Sequence, residues 1–381
     1  MNNKYDIAAF IWPSYTGDEP RTLIFWPEGY GEWQTVKAMT DKGYKGCRWP
    51  RKPLWGYVNE ADPRIMEMQI DCAVSHGVNV FIYDWYWFDN RPFLENCLND
   101  GFLKARNNKE MKFYLMWANH HATHLWDKRN SDNDLSTVIW SGTVTPQIFS
   151  EICDRTIEKY FSLDNYYQID GCPVYMVFDA DNFIRSFGGT VECKAAIEQF
   201  RKKVTDAGFK GLHLQFVYWG DRVYNWLNDD DINKGKTVYE IYDYLGIDSV
   251  TNYNWGGAVK FDGDYKEITE KFVEKFADAS EKLNIPYYPH ISVGWDNNVR
   301  FYKFIPDVTE NNTPENFRLA CEKVKRLADE SLEKGIIKAP LITVNSWNEW
   351  TETSYLQPDD LYGYGYLEAI REVFVDGSDS E

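Results

Sequence analysis

The sequence has few of the features that mark membrane proteins or nucleic-acid-binding proteins. It contains no run of 18 apolar residues, which excludes a membrane-spanning helix of the usual length. Basic residues are the minority, 41 against 59 acidic ones, and the net charge of −18 would repel a phosphate backbone. No basic patch is concentrated along the chain. We therefore expect no membrane span and no nucleic-acid partner.

Paired cysteines are also lacking. The seven cysteines are odd in number, widely spread and never arranged as Cys-x-x-Cys, which favours neither a disulfide framework nor a thiolate zinc site. The first ten residues lack a basic segment followed by an apolar stretch, so the chain as given shows no signal peptide. The cellular location stays open between the cytoplasm and, if a leader has been removed, the periplasm or the cell exterior.

Aromatic side chains are abundant instead. The 16 Trp, 26 Tyr and 22 Phe make up 17% of the 381 residues. Such rings either build a heavy aromatic core or line a binding surface, and composition alone is compatible with both. Sugar rings have apolar C–H faces edged by hydroxyl groups, so aromatic platforms interleaved with carboxylates and amides suit them.

The order of predicted elements indicates the fold. Short runs rich in Val, Ile, Leu, Phe and Tyr alternate with stretches of helical periodicity, which is typical of a parallel sheet with crossover helices. Most runs are nearly continuous in apolar residues, as expected of strands buried on both faces. We predict eight strands over Ile7–Ile11, Val78–Tyr83, Lys112–Trp117, Val174–Phe178, Leu212–Tyr218, Ser249–Tyr253, Tyr287–Val293 and Leu341–Val344. We predict helices over Pro63–His76, Phe93–Arg106, Pro146–Phe161, Val191–Ala207, Tyr265–Leu283 and Pro314–Glu333. A further short helix is expected within residues 225–244.

Eight strands with intervening helices predict an α/β fold, a single (β/α)8 TIM barrel over residues 1–381 with long loops at its C-terminal face. In such a barrel the chemistry gathers at the carboxyl ends of the strands. Seven of the eight predicted ends carry a Trp or a neighbouring aromatic residue, repeatedly beside Asp, Asn or Glu. Packing under loops accounts for single Trp residues, but the repeated pairing favours a saccharide pocket.

Two glutamates stand out after the eighth predicted strand, Glu349 and Glu352. Glycoside cleavage needs paired carboxyl groups, one to protonate the leaving oxygen and one to act as nucleophile or base. An isolated Glu-x-x-Glu is common on solvated helices. Its position after a buried strand, among Trp347, Asn348 and Trp350, makes it a candidate catalytic pair.

Other chemistries lack their signatures. The chain has no Gly-x-Ser-x-Gly, no His-Glu-x-x-His and no Gly-x-x-x-x-Gly-Lys-Ser/Thr motif. His120, His121 and His124 are the one cluster that suggests a metal, but no carboxylate or cysteine accompanies them at ligand spacing, so a sugar contact is favoured. We expect no metal and no cofactor.

The final stretch, LITVNSWNEWTETSYLQPDDLYGYGYLEAI from Leu341 to Ile370, resembles the last strand and loop of the glycoside hydrolase family 99-like domain, also called the WbsX family. The similarity extends through GVNVFIYDWYWFDNRPFLE, FYLMWANH, YYQIDGCPVYMVF and GWDNNVR, and so covers nearly the whole chain.

The resemblance implies a barrel related to endo-acting α-mannosidases, which cleave with retention. In that family the first Glu of the pair is proposed to deprotonate the sugar 2-hydroxyl, forming a 1,2-anhydro intermediate, and the second acts as general acid and then base. Carried over, Glu349 is the base and Glu352 the acid/base. Mannose and rhamnose both fit, because each has an axial 2-oxygen anti to the departing group. The two roles call for separated pKa values, with the acid raised and the base held ionised.

The chain departs from the family pattern at three positions. His120 follows Asn119 where a Glu is usual, Thr353 replaces a Gly, and Gln357 replaces a Glu. These departures leave the catalytic pair in place and bear on subsite specificity.

The sequence therefore predicts a retaining glycoside hydrolase with an oligosaccharide or polysaccharide substrate, acting as a monomer. The alternatives are a WbsX-type glycosyltransferase and a catalytically silent sugar-binding barrel. For a transferase, Arg48, Arg51 and Lys52 would be the one basic cluster available to hold a diphosphate. The predicted substrate-binding residues are Trp12, Asp84, Trp85, Tyr86, Trp117, Asn119, His120, Tyr218, Tyr253, Trp295, Asp296, Asn348, Trp350 and Tyr355.

Overall fold

A computed structural model describes residues 4–42, 49 and 51–376. Parallel strands alternate with helices along this part of the chain, and the strands form one sheet. The eight strands are β1 Asp6–Ile11, β2 Val78–Phe88, β3 Lys112–Trp117, β4 Cys172–Val177, β5 His213–Val217, β6 Ser249–Thr251, β7 His290–Ser292 and β8 Leu341–Asn345.

The sheet closes on itself. Its pairing runs β6-β5-β4-β3-β2-β1-β8-β7, and every pair along this path is parallel. The remaining gap is bridged at Val250, whose N–H donates to Pro286 O at 2.9 Å and whose carbonyl accepts from Tyr288 N at 2.8 Å. The predicted (β/α)8 barrel is thereby confirmed.

Nine α-helices are present in the described residues, and the longer ones flank the barrel. They are α1 Trp33–Lys37, α2 Pro63–Ser75, α3 Pro146–Thr156, α4 Ala180–Phe187, α5 Thr190–Asp206, α6 Val238–Leu245, α7 Tyr265–Lys282, α8 Pro314–Glu333 and α9 Gly365–Phe374. Short strands that pair outside the barrel path are Arg91–Phe93, Ala122–Thr123, Val138–Trp140, Gln168–Ile169, Gly263–Asp264, Thr309–Glu310, Asn348–Glu349 and Ser354–Tyr355.

Helix starts follow the local sequence. The side chains of Asp62, Thr145 and Thr313 each accept a backbone N–H of the first turn of α2, α3 and α8, and each is followed by a proline at the first helical position. Proline fits there because its missing N–H has no partner within the helix anyway. At α6, Thr237 and Glu240 form a reciprocal capping box.

The region predicted as a helix over Phe93–Arg106 differs from that prediction. Strand β2 continues beyond the barrel to Phe88 and turns back through Asp89 and Asn90, both at positive φ, so that Arg91–Phe93 pairs with it as a hairpin. The chain then forms a π-helical turn at Cys97–Gly101 and a 3-10 turn at Phe102–Lys104. The carbonyl of Glu60 lies so close to Gly101 that a Cβ there would meet its oxygen at 2.1 Å.

Smaller differences occur elsewhere. Helix α3 ends at Thr156 and continues as a π-helical turn to Phe161. The short helix expected within residues 225–244 is α6, whereas α1, α4 and α9 were not predicted. No helix within the described ranges is both long enough and apolar enough to cross a bilayer.

The barrel interior is polar and hydrogen-bonded near the middle of the strands. Thr251 Oγ1 lies 2.7 Å from Thr343 Oγ1, and His290 Nδ1 lies 2.9 Å from the same hydroxyl. Burial lowers the pKa of His290 well below its ordinary value, so the ring is neutral at pH 7. Apolar side chains of the strands and helices also pack against each other outside the barrel, as Trp117 of β3 does with Phe149 of α3, and we call this packing the outer core.

Replacing Phe149 on α3 tests the packing of the outer core. Its ring packs against Trp117, Phe183, Phe187 and Phe200 at centroid distances of 5.3–5.9 Å. We expect Phe149→Ala to lower the free energy of unfolding by about 3–5 kcal/mol, because the cavity it leaves is enclosed by rings that cannot collapse into it. Urea denaturation measures the change. The exposed Val191 serves as control, and an equal small effect of Phe149→Ala and Val191→Ala would contradict this packing.

Candidate active site

A cavity of about 230 Å³ lies at the carboxyl ends of the barrel strands. Its walls combine aromatic rings, three carboxyl groups and one guanidinium. The lining residues are Trp12, Asp84, Tyr86, Ala118, His120, Leu125, Trp126, Phe178, Tyr253, Arg300, Glu349 and Glu352. Both predicted catalytic glutamates and five of the predicted binding residues are therefore brought together.

A short hairpin after β8 carries the two glutamates. Asn348–Glu349 pairs antiparallel with Ser354–Tyr355, and the turn between them is a 3-10 helix over Trp350–Glu352. Residues three apart eclipse each other in 3-10 geometry, which brings the side chains of Glu349 and Glu352 to the same side of the turn. The backbone N–H of Glu349 donates to Ser346 Oγ at 2.8 Å.

Arg300 joins the two glutamates. One terminal nitrogen of its guanidinium lies 2.9 Å from Glu349 Oε1 and the other lies 2.7 Å from Glu352 Oε1. Its Nε lies 3.3 Å from Glu32 Oε1, and Trp12 Nε1 donates to the other oxygen of Glu32. One buried cation thus contacts three buried carboxylates.

The segment that carries Arg300 is held on several sides. Asp296 accepts the N–H of Asn298 and so begins the 3-10 turn Asn297–Arg300. Backbone carbonyls of the segment accept from Lys42 and Lys128, and Ser131 Oγ donates to the carbonyl of Arg300 at 2.5 Å. The guanidinium is consequently fixed before any substrate arrives.

Burial dominates the proton affinities of the pair. Burial raises the pKa of Glu349 well above its ordinary value, the charge of Glu352 adds to the rise, and Arg300 opposes it. Burial also raises the pKa of Glu352, again opposed by Arg300. Both pKa values are thus raised, whereas the sequence predicted a raised pKa for the acid and a base held ionised.

Hydrogen bonding distinguishes the two carboxyl groups. Glu349 Oε1 accepts from Arg300 and, at 3.0 Å, from Thr351 Oγ1, which favours its charged form. Glu352 Oε2 is buried without a hydrogen-bond partner among the described residues.

Two further groups in the wall titrate abnormally. Burial raises the pKa of Asp84 well above its ordinary value, although Tyr253 OH donates to its Oδ2 at 3.2 Å. Burial lowers the pKa of His120, whose Nδ1 lies 3.0 Å from the carbonyl of His121. Burial therefore favours the uncharged forms of both groups in the cavity wall.

Several predicted binding residues support the wall without lining it. Asn348 bridges the backbone N–H and carbonyl of Trp12, at 2.8 and 2.9 Å. Asn119 joins the loops after β3 and β4 by accepting from Asp179 N and donating to Asp179 O. Asp296 supports the wall indirectly, because it begins the turn that carries Arg300.

The other predicted aromatic residues are not among those that line the cavity. Trp85 donates to Glu95 at 2.8 Å outside the barrel, and Trp117 packs in the outer core. Trp350 and Tyr355 stack on each other at 3.8 Å behind the hairpin. Trp295 stacks on Phe261, and Tyr218 lines a separate small cavity with Asp221.

Arg300 and Glu32 were not predicted as site residues, and neither was Trp126. Arg300 closes the GWDNNVR segment, and the need of two buried carboxylates for a cation is the signal that would have identified it. In the basic cluster of the first loop, Arg51 contacts Tyr355 and Asp359, and Arg48 lies outside the described residues.

The three departures from the family pattern have distinct surroundings. His120 contacts the rings of Tyr86, Trp126 and Phe178 in the cavity wall. Thr353 adopts a positive φ of 54°, a conformation that favours glycine, and its hydroxyl donates to Asp296 O at 2.9 Å. Gln357 Oε1 accepts from Trp350 Nε1 at 2.7 Å.

The chain resembles known proteins both in sequence and in fold. It is 23% identical over 378 residues to the uncharacterised protein WxcX of Xanthomonas campestris pv. campestris, in two strains. The match covers 98% of this chain and 50% of the relatives, so the chain spans about half the length of the curated relatives it matches.

Solved structures share the fold at low identity. A glycoside hydrolase-like protein superposes with a TM-score of 0.59 at 17% identity, covering 98% of this chain and 94% of that one. The GH99 endo-α-mannosidase from Bacteroides thetaiotaomicron superposes with a TM-score of 0.55 at 13% identity, covering 97% and 96%. At these identities the likeness establishes the barrel fold.

The family model described as Glycosyltransferase WbsX matches residues 7–370. The resemblance noted in the sequence is confirmed over nearly its full extent, and the chain belongs to the WbsX family.

Proposed function

We propose that this protein is a retaining glycoside hydrolase that cleaves an α-linked, manno-configured sugar, of the mannose or rhamnose type, within a polysaccharide or glycan. The observation that carries the proposal is the pair Glu349 and Glu352, buried on one hairpin and joined by Arg300 beside aromatic walls. Paired carboxyl groups beside aromatic platforms are what glycosidic cleavage requires.

The proposed roles rest on the hydrogen bonds. Glu349, which accepts from Arg300 and Thr351, removes the proton of the axial 2-hydroxyl. The 2-oxygen then attacks the anomeric carbon from the back face, the glycosidic bond breaks, and Glu352 gives its proton to the leaving oxygen. In the second half, Glu352 takes a proton from water as that water opens the anhydro ring, and Glu349 returns its proton to the 2-oxygen.

The raised pKa values support a proton retained by the pair. The rise is larger at Glu349, so the division of roles is supported by the hydrogen bond from Thr351 to Glu349 and by the unpartnered oxygen of Glu352. Two carboxyl groups in one dry site resist being charged together, so the pair is expected to retain one proton near neutral pH. A proton on the unpartnered Glu352 Oε2 has no competing acceptor, and it is available for a substrate oxygen.

The dimensions of the cavity limit what it holds. At about 230 Å³ it is smaller than the roughly 300–1,000 Å³ typical of pockets for drug-sized ligands. We expect one sugar ring to enter, against Trp12, Tyr86 and Trp126, while the rest of the glycan remains outside. Asp84 lines the cavity and its Oδ1 has no hydrogen-bond partner among the described residues, so we expect it to contact a sugar hydroxyl.

A glycosyltransferase is the second candidate, favoured by the description of the family. The same two glutamates would serve if a sugar hydroxyl replaced water in the second half of the reaction. Arg51 is buried against Tyr355 and Asp359, so it is not presented as a free cation for a diphosphate.

Mass spectrometry of products tests the proposal directly. The protein is incubated with α-mannans, rhamnose-containing polysaccharides and high-mannose glycans, without nucleotide sugar. We expect cleavage of a manno-configured linkage, with retention visible by proton NMR of the first-formed anomer. Products that appear only when a nucleotide sugar is supplied would favour the transferase instead.

Replacing Glu352 by Gln removes the proposed proton donor. We expect Glu352→Gln to lower kcat by about 10²- to 10⁴-fold, because general acid catalysis is lost, while ligand binding by calorimetry persists. Glu333→Gln, at an exposed position on α8, is the control. Unchanged turnover in Glu352→Gln would contradict the assigned role.

Replacing Arg300 by Met removes the cation from the pair. Without it the carboxyl groups hold their protons to higher pH, so the acidic limb of the kcat/KM profile is expected to move upward and the rate at pH 7 to fall about 100-fold. The free energy of unfolding is expected to fall by about 3–5 kcal/mol, since buried charges lose their partner.

Arg106→Met provides the comparison, because Arg106 makes a similar paired contact with Glu67 at the surface. We expect no change in its pH profile. If the acidic limb of Arg300→Met coincided with that of the wild type, Arg300 would not govern the protonation of the pair.

A further inference from the structure

A buried amide cluster lies behind the catalytic hairpin, on the side away from the cavity. At its centre is Glu60, which is fully buried in the loop before α2. Glu60 Oε1 accepts from Gln357 Nε2 at 2.9 Å and from Gln69 Nε2 at 3.1 Å, and Oε2 accepts from Asn348 Nδ2 at 2.8 Å. Three side-chain amides thus donate to one carboxylate.

The same amides hold the residues on either side of Glu349. Gln69 Oε1 accepts from Trp347 Nε1 and Gln357 Oε1 accepts from Trp350 Nε1, both at 2.7 Å. Asn348, the third donor to Glu60, also bridges the backbone of Trp12. Glu60 therefore holds the nitrogen of each amide. The oxygen of each amide is held by Trp347, by Trp350 or by the backbone N–H of Trp12.

The cluster depends on Glu60 being an acceptor at both oxygens. A protonated carboxyl would need an acceptor for its O–H, yet the three amide groups facing it present N–H. The remaining side-chain contact of Glu60 is the thiol of Cys97, whose sulfur lies 4.0 Å from Oε2 and is a weak acceptor. Turning Gln69 or Gln357 to offer its oxygen would leave Trp347 or Trp350 without an acceptor. Loss of the charge on Glu60 is therefore transmitted to the hairpin.

We infer that Glu60 is a positioning residue for the reaction, whose carboxylate holds the hairpin of Glu349 and Glu352 in register through Asn348, Gln69 and Gln357. The inference rests on the proposed function of that hairpin. Glu60 touches neither the cavity nor the reacting atoms, so its effect is on the placement of the pair.

The charge state of Glu60 changes in an accessible range. Burial raises the pKa of Glu60 to about 7, although the three amides lower it. The titratable groups that face it are Cys97, Tyr83 and Tyr15, and burial raises the pKa of each well above its ordinary value, so all three are neutral near pH 7. Above pH 7 the cluster is intact, and below it the hairpin loosens.

Glu60→Gln tests the inference, because the amide is similar in shape but cannot accept at both positions. We expect kcat to fall about tenfold with KM within twofold. The part of the rise of kcat near pH 7 that Glu60 contributes is expected to disappear, while the acidic limb set by Glu349 and Glu352 persists. The double variant Glu60→Gln/Gln357→Glu returns one carboxylate to the same cluster and is expected to recover kcat to within about threefold of the wild type. Glu28→Gln, at an exposed position shortly before α1, is the control.

Hydrogen exchange provides a readout that needs no turnover. After correction for the intrinsic rate, we expect residues 345–357 to exchange about tenfold faster in Glu60→Gln, and in the wild type below pH 7, with α8 unchanged. Unchanged exchange and an unchanged kcat profile would overturn the inference. If no variant, including the wild type, hydrolyses any glycan, the proposed function fails, and the exchange of residues 345–357 alone decides the role of Glu60.

Discussion

The site depends on one buried guanidinium shared by three carboxylates. Glu32 comes from the loop after β1, Arg300 from the loop after β7, and Glu349 and Glu352 from the hairpin after β8. Removing a charge from water costs free energy unless the charge is paired with an opposite one. Two opposite charges that are shielded from water attract each other strongly. The aromatic walls exclude water from these groups, and the network in turn joins three loops that are distant in sequence. The aromatic walls that exclude water and the ion pairs between the buried charges therefore depend on each other in this site.

The high aromatic content serves two purposes that the structure separates. Rings such as Trp12, Tyr86 and Trp126 line the cavity, whereas Trp117 and Trp350 pack behind the sheet and the hairpin. Composition suggested rings that line a binding surface or rings that build an aromatic core, and the structure places rings both in a cavity wall and in the core. A ring that supports the wall from behind limits the movement of the ring or carboxylate in front of it, because close-packed interiors transmit displacement rather than absorb it.

Local patterns predicted the barrel strands and the pair of glutamates after the eighth strand, but neither the hairpin that carries the pair nor the direction of each side chain at the site. In β2, Asp84 and Tyr86 face the cavity while the intervening Trp85 faces outward, as the two-residue period of a strand requires. Applying that period to the sequence would have separated Asp84 and Tyr86, which face the cavity, from Trp85, which does not. Arg300 was beyond such reasoning, because its importance comes from contacts with Glu32 and Glu349, 268 and 49 residues away. The helix predicted over Phe93–Arg106 was wrong for a similar reason, since β2 extends past the barrel and pairs with Arg91–Phe93, so that Phe93 ends a strand instead of beginning a helix.

Both proposed catalytic carboxyl groups lie on one short turn that is paired to itself, between Asn348–Glu349 and Ser354–Tyr355. In many barrels the two groups would come from different strands, and thermal breathing of the sheet would change the distance between them. Here such breathing displaces both together, so their separation is a local property of the hairpin. Substitutions that reshape the distant side of the barrel can therefore alter which glycan is admitted while leaving the spacing of the two carboxyl groups unchanged.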